Sequence, residues 1–472
     1  MERQRESAKN PVTPAKQIAF GLAAAGNTLQ NNIMNTFYKY FLTNSVGMTP
    51  AFMGLITSAQ TGLSLIWPPL RGGVMNRMES KVGKFRRAFT IFWPIGMAFY
   101  CLCFVNIQAA PVVQFIYYVT WYLAGFFLTS FMETGHLALA SLMSPTKEDA
   151  VKLTSIRSAV ATGGSIFHSL FTTKLVAMFG GTLADGSVAD QGKGYLGVYI
   201  TYTILSIICC WLTAWSAKDY DLYKVEGVEE EKKEVKKELD YPLSTYIRGF
   251  FGNRPLITLF VCDILKATAT MTYTGAVNYY FEVVVGSFGL MRTYFLSCNI
   301  MMLVGSLFTP FVVKAVGKKM TNVIAYAGFA ISLICGAFVM VGNAWGIIIC
   351  IGIGRMFSGL NGSVSPAMYG EIATWWENKT GEKLRAYFMT YFSMNFNIAQ
   401  LFTSIIVATG LSIVGYAKGV AITPAIYNMC LWLMSLIPGV PLLIGALLFL
   451  TYPLTEDVMD KVRAELAAKQ SA

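Results

Sequence analysis

Long apolar stretches run the length of this chain, and basic residues sit in every second gap between them. Gaps holding Arg77, Lys81, Lys84, Arg86 and Arg87, or Lys314, Lys318 and Lys319, alternate with gaps such as 43–50 and 106–111, which hold none. Lys and Arg stay on the cytoplasmic side of a membrane, so the alternation sets both the spans and their direction. A span needs about 20 apolar residues, and the stretches reach that length. Open sheets cannot cross lipid, and the stretches are too long and too uniformly apolar for barrel strands, so the spans are expected to be helices. A mean hydropathy of +0.50, with 54% hydrophobic and 13% charged residues, removes the soluble multidomain reading that 472 residues would otherwise invite.

Twelve spans are expected, at 17–43, 50–76, 88–107, 112–143, 151–178, 195–217, 254–285, 290–313, 320–342, 345–374, 382–414 and 424–451. Residues 218–248, containing Glu229-Glu230-Glu231-Lys232-Lys233-Glu234, are the one long charge-rich interruption and read as a linker. This predicts a six-helix bundle over 1–217, a cytoplasmic linker over 218–248, a second bundle over 249–452 and a cytoplasmic tail over 453–472. Within the linker, 232–239 reads either as a solvated charge run or as an amphipathic helix lying on the membrane. An even number of spans places both termini in the cytoplasm of a cell-membrane protein. The longest outer loop is the one holding Asp185, Asp190 and Lys193.

The two halves echo each other. Tyr40-Phe41 followed by Val46-Gly47 at the end of span 1 matches Tyr280-Phe281 followed by Val285-Gly286 at the end of span 7, offset by one residue. With the six-linker-six layout, the echo suggests a parallel repeat of two bundles, the architecture of the major facilitator superfamily. The net charge of +11 falls mostly in cytoplasmic gaps, where it sets topology and meets anionic headgroups. No compact basic domain exists outside the spans, which argues against nucleic acid. The nine cysteines lie in apolar segments with no CxxC pair, so neither a disulfide framework nor a metal site is indicated. The apolar stretch after the basic segment 1–16 lacks a small-residue cleavage site and reads as a retained first span.

An ionisable group inside a span is costly and is read as functional by default. Glu133 and His136 lie one turn apart in span 4 and form a candidate coupling pair; Arg157, two turns inside span 5, is a candidate partner for Glu133. The alternative for that pair is a structural ion bridge. His168 reads as a core histidine. Asn27, Asn31 and Asn35 form a strict i+4 stripe on span 1, with amides suited to hydroxyl-rich ligands. Lys39 continues that stripe near the outer end and is expected to snorkel, as is Arg71 at the inner end of span 2. Ser393, Asn397 and Gln400 form a comparable stripe on span 11. On span 7, Asp263 and Lys266 either neutralise each other or free Lys266 for a ligand. Arg355, deep in span 10 and followed by Ser358 and Asn361, is a ligand candidate. Arg157, Lys266 and Arg355 against Glu133 and Asp263 leave the deep charge positive by one, which favours an anionic ligand.

Several segments resemble the glycoside–pentoside–hexuronide:cation symporters of that superfamily, which include the melibiose carrier. These are the turn at 47–49, Ser80-Lys81-Val82-Gly83-Lys84-Phe85-Arg86-Arg87, and Gly252-Asn253-Arg254-Pro255-Leu256. Met368-Tyr369-Gly370-Glu371, Thr380-Gly381-Glu382-Lys383-Leu384-Arg385-Ala386 and Tyr452-Pro453-Leu454-Thr455 complete the likeness, which runs nearly the whole chain. The resemblance implies alternating-access transport of sugars or glycosides coupled to Na⁺ or H⁺. It places Glu133 at an acidic sugar-binding position and Arg157 at the family's helix 5 arginine. The chain also departs from the family. The two cation-site carboxylates of helix 2 fall on Ser64 and Pro68, the helix 1 acid on Thr28, and the helix 11 lysine near Asn397 to Gln400.

The expectation is therefore an all-helical, monomeric secondary transporter of a glycoside, hexuronide or related anionic small molecule, H⁺-coupled or uncoupled rather than Na⁺-coupled. Asn27, Asn31, Asn35, Glu133, Arg157, Lys266, Arg355 and Asn397 would bind substrate. A carrier of amphipathic, steroid-like molecules and a non-transporting receptor are the alternatives. A membrane enzyme is least favoured, since no clustered metal ligands or nucleophile–base pair stand out, and no cofactor is indicated.

Overall fold

The computed structural model describes residues 12–77, 83, 85–143, 147–182, 188–221, 248–286, 289–339, 344–382, 384–417 and 419–471. Lys81, Lys84, Asp185, the Glu229–Glu234 run, the segment 232–239 and residues 1–11 lie outside this set. The described backbone is helical almost throughout, with one isolated bridge between Thr182 and Val188.

The first series of helices is α1 (14–45), α2 (Pro50–Arg77), α3 (Ala88–Leu102), α4 (Pro111–Leu142), α5 (Lys147–Gly180) and α6 (Gln191–Ser216). The second is α7 (Arg254–Val285), α8 (291–316), α9 (318–339), α10 (Ala344–Thr380), α11 (Arg385–Ile413) and α12 (Pro424–Leu450). Every expected span falls on helical backbone; the differences are at ends, apart from a break inside α12 at Ser435, with φ −131° and ψ −80°. α3 stops at Leu102 rather than at 107. The expected gap between spans 8 and 9 shrinks to one non-helical residue, Gly317, with φ 76° and ψ 166°. The tail forms a further helix, α13 (Glu456–Ser471), whose Met459 and Val462 are buried.

Among the described residues, seven helices are apolar and long enough to cross a membrane by composition alone. α1, α2 and α5 fall outside that group because their polar residues lower the mean hydropathy. In a membrane protein such helices are expected to turn those residues away from lipid.

Local chemistry explains the helix starts. Proline opens α1, α4, α7 and α12, where its missing N–H costs nothing. Asp190, Asn253 and Thr423 cap α6, α7 and α12 by accepting the N–H of Lys193 (3.0 Å), Leu256 (3.0 Å) and Ile426 (3.3 Å). The Lys193 N–H holds the Asp190 carboxyl, which lies outside the spans, below its ordinary range.

The chain divides into two compact units. One comprises Met1–Val225 with Ser287–Arg292 and Leu411–Ala421; the other comprises Glu226–Gly286, Thr293–Gly410 and Ile422–Ala472. In the first, α1 packs against α5 and α6. A Cβ on Gly164 would sit 3.0 Å from the Ala25 carbonyl, so α1 and α5 approach at backbone distance. Thr213 of α6 enters the ladder of α1: its hydroxyl accepts the Ala23 N–H (3.0 Å) and donates to the Ala19 carbonyl (2.8 Å). Side-chain insertion of this kind is one of the identifiable causes of helix bending. Thr213→Val is expected to orphan that N–H and cost about 1–3 kcal/mol, read as a lower Tm of the purified chain, while Thr213→Ser stays near wild type.

In the second unit α7 packs against α12, and α8 crosses α10 where Gly305 and Gly359 meet backbone directly. The sequence echo between the halves reappears as a shared backbone device. Phe41–Ser45 and Phe281–Val285 are both π-helical, and each run is followed by a left-handed glycine, Gly47 or Gly286. A second correspondence was not read from sequence. Gly83, at φ 112°, is embraced by Asp221, which accepts the N–H of Phe85 (2.8 Å) and Arg86 (2.7 Å). Gly317 has Glu456 in the same role, accepting the Lys318 N–H at 3.2 Å.

Candidate substrate site

The second unit contains a cavity of about 280 Å³. α7 presents Asp263, Lys266 and Thr270 to it, at spacings that keep all three on one helix face. α10 presents Arg355, Ser358 and Asn361 in the same way. Met271, Met302, Phe392 and Phe396 form an apolar wall. Such a mixture, mostly apolar with a few convergent polar groups, is the usual make-up of a small-molecule site.

The charged groups of this cavity are not paired with one another. Asp263 accepts from the Tyr326 hydroxyl (2.6 Å) and from Ser365, and is 4% exposed. Lys266 donates to the Asn361 side-chain oxygen. The Asn361 amide then donates to Asn322 (2.7 Å) and reaches the Tyr326 hydroxyl (3.5 Å). Asp263 and Lys266 are thus joined through Asn361 and Tyr326 rather than by direct contact, and they stay within electrostatic range of each other. Arg355 lies beside Tyr273, Tyr294 and Cys298 and contacts the Met302 sulfur at 2.8 Å. Among the described residues, neither Lys266 nor Arg355 has a carboxylate within ion-pair distance. Of the span 11 stripe, Asn397 and Gln400 are half-buried, and the cavity meets their neighbours Asn395 and Phe396 instead.

The first unit departs further from expectation. Glu133 is exposed, whereas His136 is fully buried, its Nε2 2.9 Å from the Phe20 carbonyl and its ring against Phe20 and Phe89. An i, i+3 pair diverges by about 60° around a helix, enough to put one residue in the core and the other outside it. His136 therefore joins α4 to α1, and its coupling role with Glu133 has no geometric support. Arg157 does not pair with Glu133; it lies within electrostatic range of His136, with its Nε buried and unbonded. Arg71, expected to snorkel, is instead the guanidinium within range of Glu133, and its Nε is buried.

On α1, Asn31 donates to Asn27 (3.1 Å), and Asn35 is half-buried. Lys39, also expected to snorkel, is only 3% exposed. It follows directly on the π turn Met34–Tyr38, which the i+4 count ignores. One extra residue in a turn rotates the remainder of the helix by about 100°. His168 lies in the core, with Nδ1 3.0 Å from the Thr172 hydroxyl. Ser64 and Thr28, at the positions where the resemblance expects acids, donate within their own helices to Thr61 (2.7 Å) and Ala24 (2.8 Å).

One segment that carried the resemblance, 380–386, is held to the entry of α7. Arg248, just before the Asn253 cap, pairs with Glu382, which also accepts from Trp376 Nε1 at 3.0 Å. On the same unit, Lys318 and Arg463 converge on Glu371 (2.5 and 2.6 Å) and tie α13 to α9 and α10. The family described as MFS/sugar transport protein matches residues 19–456.

The chain belongs to that family.

It is a secondary transporter of the major facilitator superfamily, in the glycoside–pentoside–hexuronide:cation symporter branch, and a multi-pass membrane protein. It is 22% identical to an uncharacterised symporter of Bacillus subtilis over 460 residues, covering 96% of this chain and 95% of the relative. It is 20% identical to the isoprimeverose transporter of Lactiplantibacillus pentosus, covering 98% and 93%. The fold is similar to that of a bacterial homologue of the human lysosomal transporter Spinster, with TM-score 0.66 at 13% identity over 94% and 99% of the two chains.

Asn322, Tyr326 and Ser365 escaped sequence reading because they carry no formal charge. Their signal was positional: Asn322 and Tyr326 are spaced i, i+4 within an apolar span, the pattern that drew attention to the α1 asparagines.

Proposed function

We propose that this transporter carries a sugar derivative bearing a negative charge, a hexuronide or similar acidic glycoside, across the cell membrane with both termini in the cytoplasm. The supporting observation is that Lys266 and Arg355 face one cavity and neither is neutralised by ion pairing. A carboxylate or sulfonate on the substrate would take both, and the apolar wall would take the C–H face of the sugar ring. Glu133 and the α1 amides would bind hydroxyls. The halves 1–217 and 249–452, joined by 218–248, would act as the two moving bodies of alternating access in a monomer. H⁺ is the coupling ion we favour over Na⁺. A Na⁺ site wants charged oxygen ligands, and Ser64 and Thr28 offer none.

The test is counterflow in proteoliposomes with isoprimeverose, methyl β-D-glucuronide, a sulfonated hexose and a steroid carboxylate, each with and without Na⁺ or a pH gradient. Acidic sugars are expected to exchange fastest. Faster exchange of the steroid carboxylate would favour an amphipathic cargo instead, and strong Na⁺ stimulation would sink the ion assignment. Glu133→Gln is expected to lower uptake at least about tenfold, the loss of one charge-assisted bond. Normal uptake by a well-folded Glu133→Gln would leave Glu133 no substrate role.

A further inference from the structure

We propose that Asp263 is the group that binds and releases the coupled proton in each transport cycle. The carboxyl is 4% exposed yet borders the cavity, so substrate space and proton site adjoin. Its two oxygens are held by neutral hydroxyls, Tyr326 at 2.6 Å and Ser365, and among the described residues no cation lies within 4 Å of it. A hydroxyl can turn from donor to acceptor when the carboxyl gains its proton, so both states can be bonded. An adjacent ammonium or guanidinium has no acceptor form.

The groups facing Asp263 are Cys262 and Lys266 on α7, Tyr326 on α9, Tyr369 on α10 and Tyr452 beyond α12; Arg355 acts on Lys266 in turn. Of these, Lys266 is the cation joined to Asp263 by a hydrogen-bonded path, through Asn361 and Tyr326. That path supplies the coupling. With Asp263 charged, the cavity holds one negative and two positive groups. One proton from water on Asp263 leaves Lys266 and Arg355 without a counter-charge, and an anionic substrate restores it. Proton binding therefore strengthens substrate binding, and by linkage the substrate strengthens proton binding equally. A carrier built this way needs no carboxylate on α2.

The inference rests on the transport reading proposed for this cavity, and two readouts separate them. Full-length protein in liposomes is assayed with methyl β-D-glucuronide and isoprimeverose for counterflow, and for accumulation driven by an inward H⁺ gradient with lumenal pyranine reporting acidification. In Asp263→Asn the ratio of gradient-driven accumulation to counterflow is expected to fall at least about tenfold. Arg355→Gln is expected to lower both together and leave the ratio. An unchanged ratio in Asp263→Asn, or wild-type counterflow with no H⁺ entry, overturns the assignment.

If neither sugar exchanges, the substrate reading fails, and the proton site is still read without substrate. Infrared titration of the purified chain from about pH 9 to about pH 5 should show the C=O stretch of a protonated acid that Asp263→Asn removes. Persistence of every such band in Asp263→Asn overturns the proposal. Should that variant not fold, Tyr326→Phe and Ser365→Ala must each move the midpoint of the band, and a midpoint unmoved in both is the contrary result.

Discussion

Replacing Arg355 with glutamine is expected to lower transport of an acidic sugar by about ten- to a hundredfold, the equivalent of one charge-assisted hydrogen bond at ~1.5–3 kcal/mol. The loss should appear mainly in substrate affinity, since the bond forms to bound substrate before any conformational step. Fold should survive, because Arg355 is bonded to no carboxylate and its removal orphans none. Its neighbours lose one side-chain hydrogen bond, at Tyr273, and one contact to the Met302 sulfur. Arg355→Lys keeps the charge but not the planar fork, and should recover part of the loss. The comparison that decides is between two cargoes. If Arg355 meets an anion, methyl β-D-glucuronide suffers and a neutral glycoside is much less affected. An equal fall for both would assign Arg355 to the architecture of α8 and α10 rather than to the ligand.

Gly359→Leu is expected to abolish folding of the second unit, seen as loss of monodisperse purified protein. Even the Cβ of alanine would overlap the Met302 carbonyl and approach the Ser306 nitrogen at 2.9 Å. Both obstacles are helix backbone, which cannot swing aside as a side chain would. Overpacking of this kind costs about 1–3 kcal/mol where side chains can yield, so Gly359→Ala should show at least that as a depressed Tm. Gly362 on the same helix supplies the control: a Cβ there meets nothing within 4 Å, and Gly362→Ala should melt like wild type. A tolerated Gly359→Ala would mean that α8 and α10 do not cross as closely as described. Small residues at such crossings are how helices in lipid gain association energy, since burial of apolar surface drives nothing there.

The two halves of the candidate site were legible to different degrees. Lys266 and Arg355 were legible because a charge inside an apolar span stands out at any rotation of the helix. The cavity puts both on its wall. Glu133 stood out for the same reason, but the guanidinium within its range did not. Arg71 lies on another helix, and no spacing within α4 points to it. The amide stripe on α1 was read by counting fours, and the π turn Met34–Tyr38, which such a count does not foresee, leaves no mark in hydropathy. Asn322, Tyr326 and Ser365 were missed because an uncharged polar residue in a span is ordinary until its partner is known.

The positions of the helical spans and the family were in the sequence. Lipid acts on each helix separately: it demands internal backbone bonding and about 20 apolar residues from every span, and it sorts Lys and Arg to one side. Each of those demands is local, so a one-dimensional pattern records it. Which buried polar groups meet was decided only by the tertiary structure. Asp263 found Tyr326 and Ser365 rather than Lys266, three residues away on its own helix, because the rotation of α7 and its packing beside α10 set those distances. Neither rotation nor packing is a property of any single span.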